Sequence, residues 1–139
     1  MVVGVVVLWT SALSYYDLRQ RRLPNWLTLP GAVIVLSVAL GTGRGMPAIA
    51  GAVALAGVYL LVHLAAPAAM GAGDVKLALG LGGLTGCFGP DVWLLAALGA
   101  PLLTAVTGVI AWLGWSARTV PHGPSMCVAS AAALGLAMF

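Results

Sequence analysis

The sequence predicts an all-α, polytopic membrane helical bundle of about six transmembrane helices, and three observations predict it. First, 62% of the 139 residues are apolar and only 6% are charged, against roughly 25% charged residues in soluble domains. A chain so poor in charge cannot cover a water-facing surface, so lipid must cover it. Second, the apolar residues fall into long runs without strand-like alternation, which argues against a barrel. Backbone exposed to lipid must then satisfy its own hydrogen bonds, as a helix does. Third, each run is bounded by turn chemistry. The length suits one bundle over residues 1–139, with no room for a second domain.

The first apolar segment covers residues 2–16. No basic region precedes it, and Tyr15-Tyr16-Asp17 is a poor small-residue cleavage site, so it reads as a retained helix and not a signal peptide. Its length corresponds to roughly 22 Å against a hydrocarbon core of about 30 Å. Either the bilayer thins there or residues precede Met1. The second segment, 26–41, follows the turn Arg22-Leu23-Pro24-Asn25, where Asn25 is placed to cap it. The third, 47–67, follows Gly41-Thr42-Gly43-Arg44-Gly45. The fourth, 75–89, follows Gly71-Ala72-Gly73; its Gly80, Gly82, Gly83 and Gly86 allow close approach, as do Gly51, Ala54 and Gly57 of the third. The fifth, 92–116, follows Gly89-Pro90-Asp91, and Pro101 is expected to kink it. The sixth, 124–139, follows Pro121-His122-Gly123-Pro124. Trp26, Trp93, Trp112, Trp115, Tyr15 and Tyr16 lie near segment ends and read as interfacial anchors.

The formal net charge is +3, and its distribution orients the chain. Arg19, Arg21, Arg22, Lys76 and Arg118 lie in alternate connections, those between segments 1–2, 3–4 and 5–6. The 2–3 connection holds Arg44 alone, and the 4–5 connection holds Asp91 and no base. The positive-inside rule makes the basic connections cytoplasmic and turns both termini outward. The bases do not alternate with exposed aromatics, so no nucleic-acid partner is expected. Cys87 and Cys127 belong to no CxxC pair, so no zinc or other metal site is expected. They read as small buried hydrophobes, with a disulfide left open.

Three carboxylates exist in the chain: Asp17, Asp74 and Asp91. Asp91 is explained as an outer-side turn residue or helix cap. Asp17 and Asp74 share the cytoplasmic side, each at a helix end, and ionisable groups near bilayer depth are costly and point to function. Asp17 ends the first helix, where the negative pole disfavours a carboxylate; Asp74 opens the fourth, where the positive pole favours one. If the two side chains meet, they share one proton. One carboxylate then serves as general base on a water while the other, protonated, polarises a scissile carbonyl. Such a pair needs neither a nucleophilic serine or cysteine nor a metal, and no cofactor is expected. Lys76 either favours the Asp74 anion or snorkels to the interface. Pro24-Asn25 either starts a helix or shapes the site, and His63 reads as a hydrogen-bonded bundle residue. The alternative class is a non-enzymatic membrane protein using the pair for proton or cation transfer. The absence of a clear repeat between the halves, and acids at helix ends instead of mid-bilayer, count against it.

The segment from Asp17 to Asn25, Asp17-Leu18-Arg19-Gln20-Arg21-Arg22-Leu23-Pro24-Asn25, resembles the D-x6-P-N motif of type IV prepilin peptidases. Gly71-Ala72-Gly73-Asp74-Val75-Lys76-Leu77 resembles the GxGD motif of that class of intramembrane aspartic proteases. Pro121-His122-Gly123-Pro124 is similar to the family's Pro-Phe-Gly-Pro, with His122 in place of Phe and no catalytic role attached to the change. The resemblance implies an aspartic endopeptidase of the bacterial plasma membrane. It would remove the basic leader of prepilin-like (Flp or pseudopilin) precursors at the cytoplasmic face, cutting after a glycine. Asp17 and Asp74 become the catalytic pair, and Gly71 and Gly73 the turn that brings Asp74 to the site. Gly73 also spares room for substrate backbone; Lys76, Pro24 and Asn25 shape the site. The chain resembles the short, peptidase-only form, so N-methylation of the new terminus is not expected. The implied partners are a prepilin-like substrate and the lipid bilayer. An inactive member retained for pilus assembly is a further alternative, against which the intact Asp17 and Asp74 argue.

Overall fold

The computed structural model describes residues 2–20, 23–68, 71–115 and 120–138. Arg21, Arg22 and Arg118, three of the orienting bases, lie outside the described residues, as does the side chain of Trp115. The described residues form six helices and no strand: α1 (Val2–Gln20), α2 (Asn25–Gly41), α3 (Gly45–Ala65), α4 (Ala72–Gly86), α5 (Pro90–Trp115) and α6 (Gly123–Met138).

Every expected segment is a helix, but the boundaries move where the chemistry lies. α1 runs on to Gln20, so Asp17 sits inside its last turns. Leu18, Arg19 and Gln20 are good helix formers, and Arg19 suits the negative pole. α4 starts at Ala72 with Gly71 at its N-cap, which puts Asp74 in the first turn. It stops three residues short of the expected end, at Gly86, because Gly89 takes φ 114° and the Cys87 and Phe88 amides fold back on Gly83 and Thr85. Gly43 closes α2 in the same way, with φ 77° and the Arg44 amide 2.8 Å from the Ala39 carbonyl. An L side chain at either glycine would be strained by about 1–2 kcal/mol. Asn25 is not the cap of α2. Pro24 holds that place, and Asn25 is the first helical residue.

The packing follows from small residues. α4 lies against α2, α3, α5 and α6, while α1 leans on α6 and α2. A Cβ on Gly82 would stand 2.6 Å from the Gly51 carbonyl oxygen, and one on Gly86 2.7 Å from that of Pro47, so α3 and α4 touch backbone to backbone. Gly80 gives its space to the Trp9 ring. Gly57 plays no such part, since nothing lies within 4 Å of a Cβ there. Many large apolar side chains point outward: Leu8, Met46, Leu113 and Leu136 are all more than 70% exposed, while Ala48, Ala78, Thr28 and Thr85 are buried beside Leu13, Leu77 and Leu81. Small residues at helix contacts and large apolar ones on the outside suit a bundle whose solvent is lipid. α3 over Gly45–Ala65 and α5 over Pro90–Gly114 are long and apolar enough to cross a membrane; α2 and α6 are shorter apolar helices.

The aromatic expectations divide. Trp26 and Trp112 are exposed, and Trp26 meets Tyr16 edge to face. Trp93 is not an interfacial anchor. It is half-buried and its indole N–H donates to the Gly51 carbonyl at 3.0 Å, tying α5 to α3. Cys87 and Cys127 are both free thiols.

Candidate active site

At one end of the bundle the α1–α2 and α3–α4 connections frame an open cleft of about 600 Å³. Asp17, Pro24, Asn25, Gly71, Gly73, Asp74 and Lys76, the residues singled out from sequence, all line it, together with Gln20, Leu23 and Ala72. The two motifs, about fifty residues apart in sequence, therefore close on one space. The room at Gly73 is taken by this chain and not left for a substrate: a Cβ there would meet Leu23 Cβ at 3.2 Å. Its missing side chain lets α4 approach the α1–α2 connection. Asn25, freed from capping, accepts a hydrogen bond from Lys76 Nζ at 2.7 Å, which links α2 to α4 across the rim.

Asp17 is 6% exposed, and its Oδ2 accepts the Gly123 backbone N–H at 2.9 Å. Gly123 is the first residue of α6, so the carboxylate faces a helix N-terminus 106 positions away in sequence. Backbone donation and the positive pole of α6 both favour the anion. The end of α1, which alone set the environment of Asp17 in the sequence reading, is therefore not the only helix end it meets. Asp74 precedes the apolar stretch of its helix and stands half-buried at the mouth of the cleft. Burial, and then the charge of Asp17, hold its carboxyl above the ordinary carboxylate range, at about 6, with a backbone hydrogen bond at Gly71 offsetting part of the rise. The two carboxyls thus differ in their surroundings: Asp17 accepts a backbone N–H from α6, and Asp74 is raised by burial and by the charge of Asp17.

The connection into α6 supplies what sequence reasoning missed. His122 Nε2 lies 2.9 Å from Tyr59 Oη on α3, and His122 Nδ1 meets Thr104 Oγ1 on α5. A Cβ on Gly123 would run into the Asp17 carboxylate, 3.0 Å from Cγ and 3.3 Å from Cβ. The signal was present as Pro121-His122-Gly123-Pro124, but nothing in the sequence joins it to Asp17. Among the described residues, no three His, Cys, Asp or Glu side chains gather in a metal-binding group. His63 is half-buried in α3 and does not line the cleft.

The sequence model of the type IV leader peptidase family matches residues 4–139. The chain belongs to the type IV leader peptidase family. No curated protein and no solved structure matches it significantly. Membership makes this bundle a leader-peptidase-like, membrane-associated protease of the aspartic class, from a family that acts on prepilin-like substrates. The two motif aspartates of this family member share one cleft at the end of the bundle.

Proposed function

We propose that this protein cleaves the leader from prepilin-like (Flp or pseudopilin) precursors at the cytoplasmic face of the bacterial plasma membrane, with Asp17 and Asp74 as its catalytic pair. The observation that carries the reading is the unequal pair in one open polar cleft: Asp17 on the α6 N-terminus, Asp74 raised under its charge. Asp17, as the carboxylate, takes a proton from a water whose oxygen adds to the scissile carbonyl carbon. Asp74, protonated, gives its proton to the carbonyl oxygen. The resulting diol collapses as Asp17 passes its proton to the leaving amine, the C–N bond breaks, and Asp74 recovers a proton from a diol hydroxyl. The two carboxyls end as they began. Gly71, Gly73, Lys76, Pro24 and Asn25 shape the rim.

Orientation rests on charge. Lys76 lies at the cleft, Arg19 is close to Asp17 on α1, and Arg44 lies beside Cys87 and Phe88 in a different group of residues. By the positive-inside rule, the cleft end is cytoplasmic. The scissile bond then lies just outside the precursor's apolar stretch, where backbone is not locked in a helix. A glycine before that bond eases the approach. Both acids sit at one end of the bundle, which disfavours a proton or cation path running through it.

The test is co-expression with a pilin precursor, read by gel shift and N-terminal sequencing of the product. Asp17→Asn and Asp74→Asn should each leave the precursor uncut while the protein stays in the membrane, and Asp91→Asn should cut normally. Near-normal processing by either of the first two would defeat the assignment.

A further inference from the structure

A chain of donors and acceptors runs through His122, and its direction can be worked out. One assignment satisfies every partner: Thr104 Oγ1 donates to the Ala100 carbonyl at 3.0 Å and accepts from His122, whose Nδ1 then carries the ring hydrogen. Nε2 is then a bare acceptor, and Tyr59 Oη–H donates to it at 2.9 Å. The ring is neutral, and burial favours that state by holding His122 below its ordinary value. The order runs Tyr59 on α3, His122, Thr104 on α5, then the backbone of α5.

This chain of bonds reaches the surroundings of both carboxyls. The residue after His122 is the one whose N–H holds Asp17, and Tyr59 lies within electrostatic reach of Asp74. The groups that face His122 from the surrounding helices are Tyr59 on α3 and Thr104 on α5; Asp17 on α1 lies one residue away through Gly123, and Cys127 stands one turn further along α6, within reach of both aspartates.

Resting on the reading of Asp17 and Asp74 as the catalytic pair, we propose that His122 is a positioning residue: its two ring nitrogens fasten the α6 N-terminus to α3 and α5, and so keep the Gly123 N–H aimed at the Asp17 carboxylate. A side chain with one hydrogen-bonding atom cannot hold both helices. Protonation of the ring would turn Nε2 into a donor to Tyr59 Oη, and that hydroxyl's own proton would have to turn to another acceptor.

The experiment compares His122→Phe, Tyr59→Phe and Thr104→Val, each close in shape to the original, with the unaltered protein in proteoliposomes on one defined precursor. Rates are read as kcat and KM across pH. Losing the Gly123 bond makes the Asp17 anion harder to form, so the acid limb of kcat/KM should move up by roughly one pH unit, the worth of one hydrogen bond to a charged group. kcat should fall about tenfold, with KM changed less than about threefold. His122→Phe combined with Tyr59→Phe should be little worse than His122→Phe alone, because both break the same link. A merely structural role would reduce the active fraction and leave the acid limb where it was; that result, or normal kcat in His122→Phe, overturns the proposal. Should His122→Phe fail to fold, the two hydroxyl deletions decide the matter by the same limb. Retained cleavage by Asp17→Asn would instead bring down the reading of the pair, a separate and distinguishable failure.

Discussion

Gly123→Ala isolates the contact on which the division of the pair depends. The added methyl would fall within the Asp17 carboxylate, 3.0 Å from its Cγ and 3.3 Å from its Cβ. Asp17 has no long flexible stem to swing aside, so the carboxylate must rotate off the α6 N-terminus or α1 and α6 must separate. Either way the 2.9 Å bond from the Gly123 amide is lost. A hydrogen bond to a charged group contributes about 1.5–3 kcal/mol, which corresponds to roughly a ten- to hundredfold loss in rate. Stability moves less. Overpacking costs about 1–3 kcal/mol, but alanine is favoured over glycine in a helix by about 1 kcal/mol, and Gly123 is not among the left-handed glycines. The expected outcome is a folded protein with kcat down at least about tenfold. It is measured on a precursor in proteoliposomes beside a thermal unfolding curve in detergent. A kcat within twofold of the unaltered protein, at unchanged unfolding temperature, would refute the reasoning that Asp17 depends on α6.

Three further outcomes are expected. Lys76→Met and Asn25→Ala should each lower kcat/KM by no more than about tenfold, since one exposed hydrogen bond is lost, and the double variant should be no worse; additive losses would show that the 2.7 Å contact is not what matters at these positions. The pH profile of kcat/KM should fall on the alkaline side from about pH 6 upward, because the pair loses its proton from Asp74, whose carboxyl is raised to about 6; a rate that climbs steadily through pH 8 would contradict this. Gly82→Val, whose Cβ would meet the Gly51 carbonyl at 2.6 Å and Leu55 Cβ at 2.9 Å, should destabilise the bundle by about 1–3 kcal/mol in thermal unfolding, whereas Gly57→Ala, which faces open space, should change nothing measurable.

The fold was largely legible because a membrane bundle writes itself in composition and punctuation. Gly43 and Gly89 mark the ends of α2 and α4 with left-handed turns, and Pro47, Pro90 and Pro124 lie in the first turns of α3, α5 and α6, where a missing N–H does no harm. What could not be read was which glycines touch. Gly51 and Gly57 look alike in sequence, yet one meets α4 backbone and the other nothing, because they lie on different faces of α3 and only the partner helix decides between them. Trp93 was misplaced for the same reason. Near a helix end, an indole suits the interface, but the exposed Gly51 carbonyl left by a glycine seam offers it a partner inside.

The residues that line the cleft were legible in the sequence, and the contacts around them were not. Asp17 and Asp74 were found from their cost: few charges are tolerated near bilayer depth, so those retained carry function. Their surroundings were inferred from the helix each belongs to, and that inference missed the contact from α6. The error is instructive about scale. A helix pole acts over its first or last turn and contributes about 0.3–1 kcal/mol when exposed. A direct backbone N–H on a buried carboxylate contributes more, and for Asp17 it comes from a different helix, whose start lies 106 residues on. Asp74 does have a favourable pole beneath it, but burial and a neighbouring negative charge outweigh that pole. Where two acids share one cleft, the one with the better donor keeps the charge, and its charge then forces the proton onto the other. On the proposed reading, the start of α6 bears on the acid and base roles of residues it does not contain, and loss of the Gly123 bond should alter the behaviour of Asp74 as well as that of Asp17.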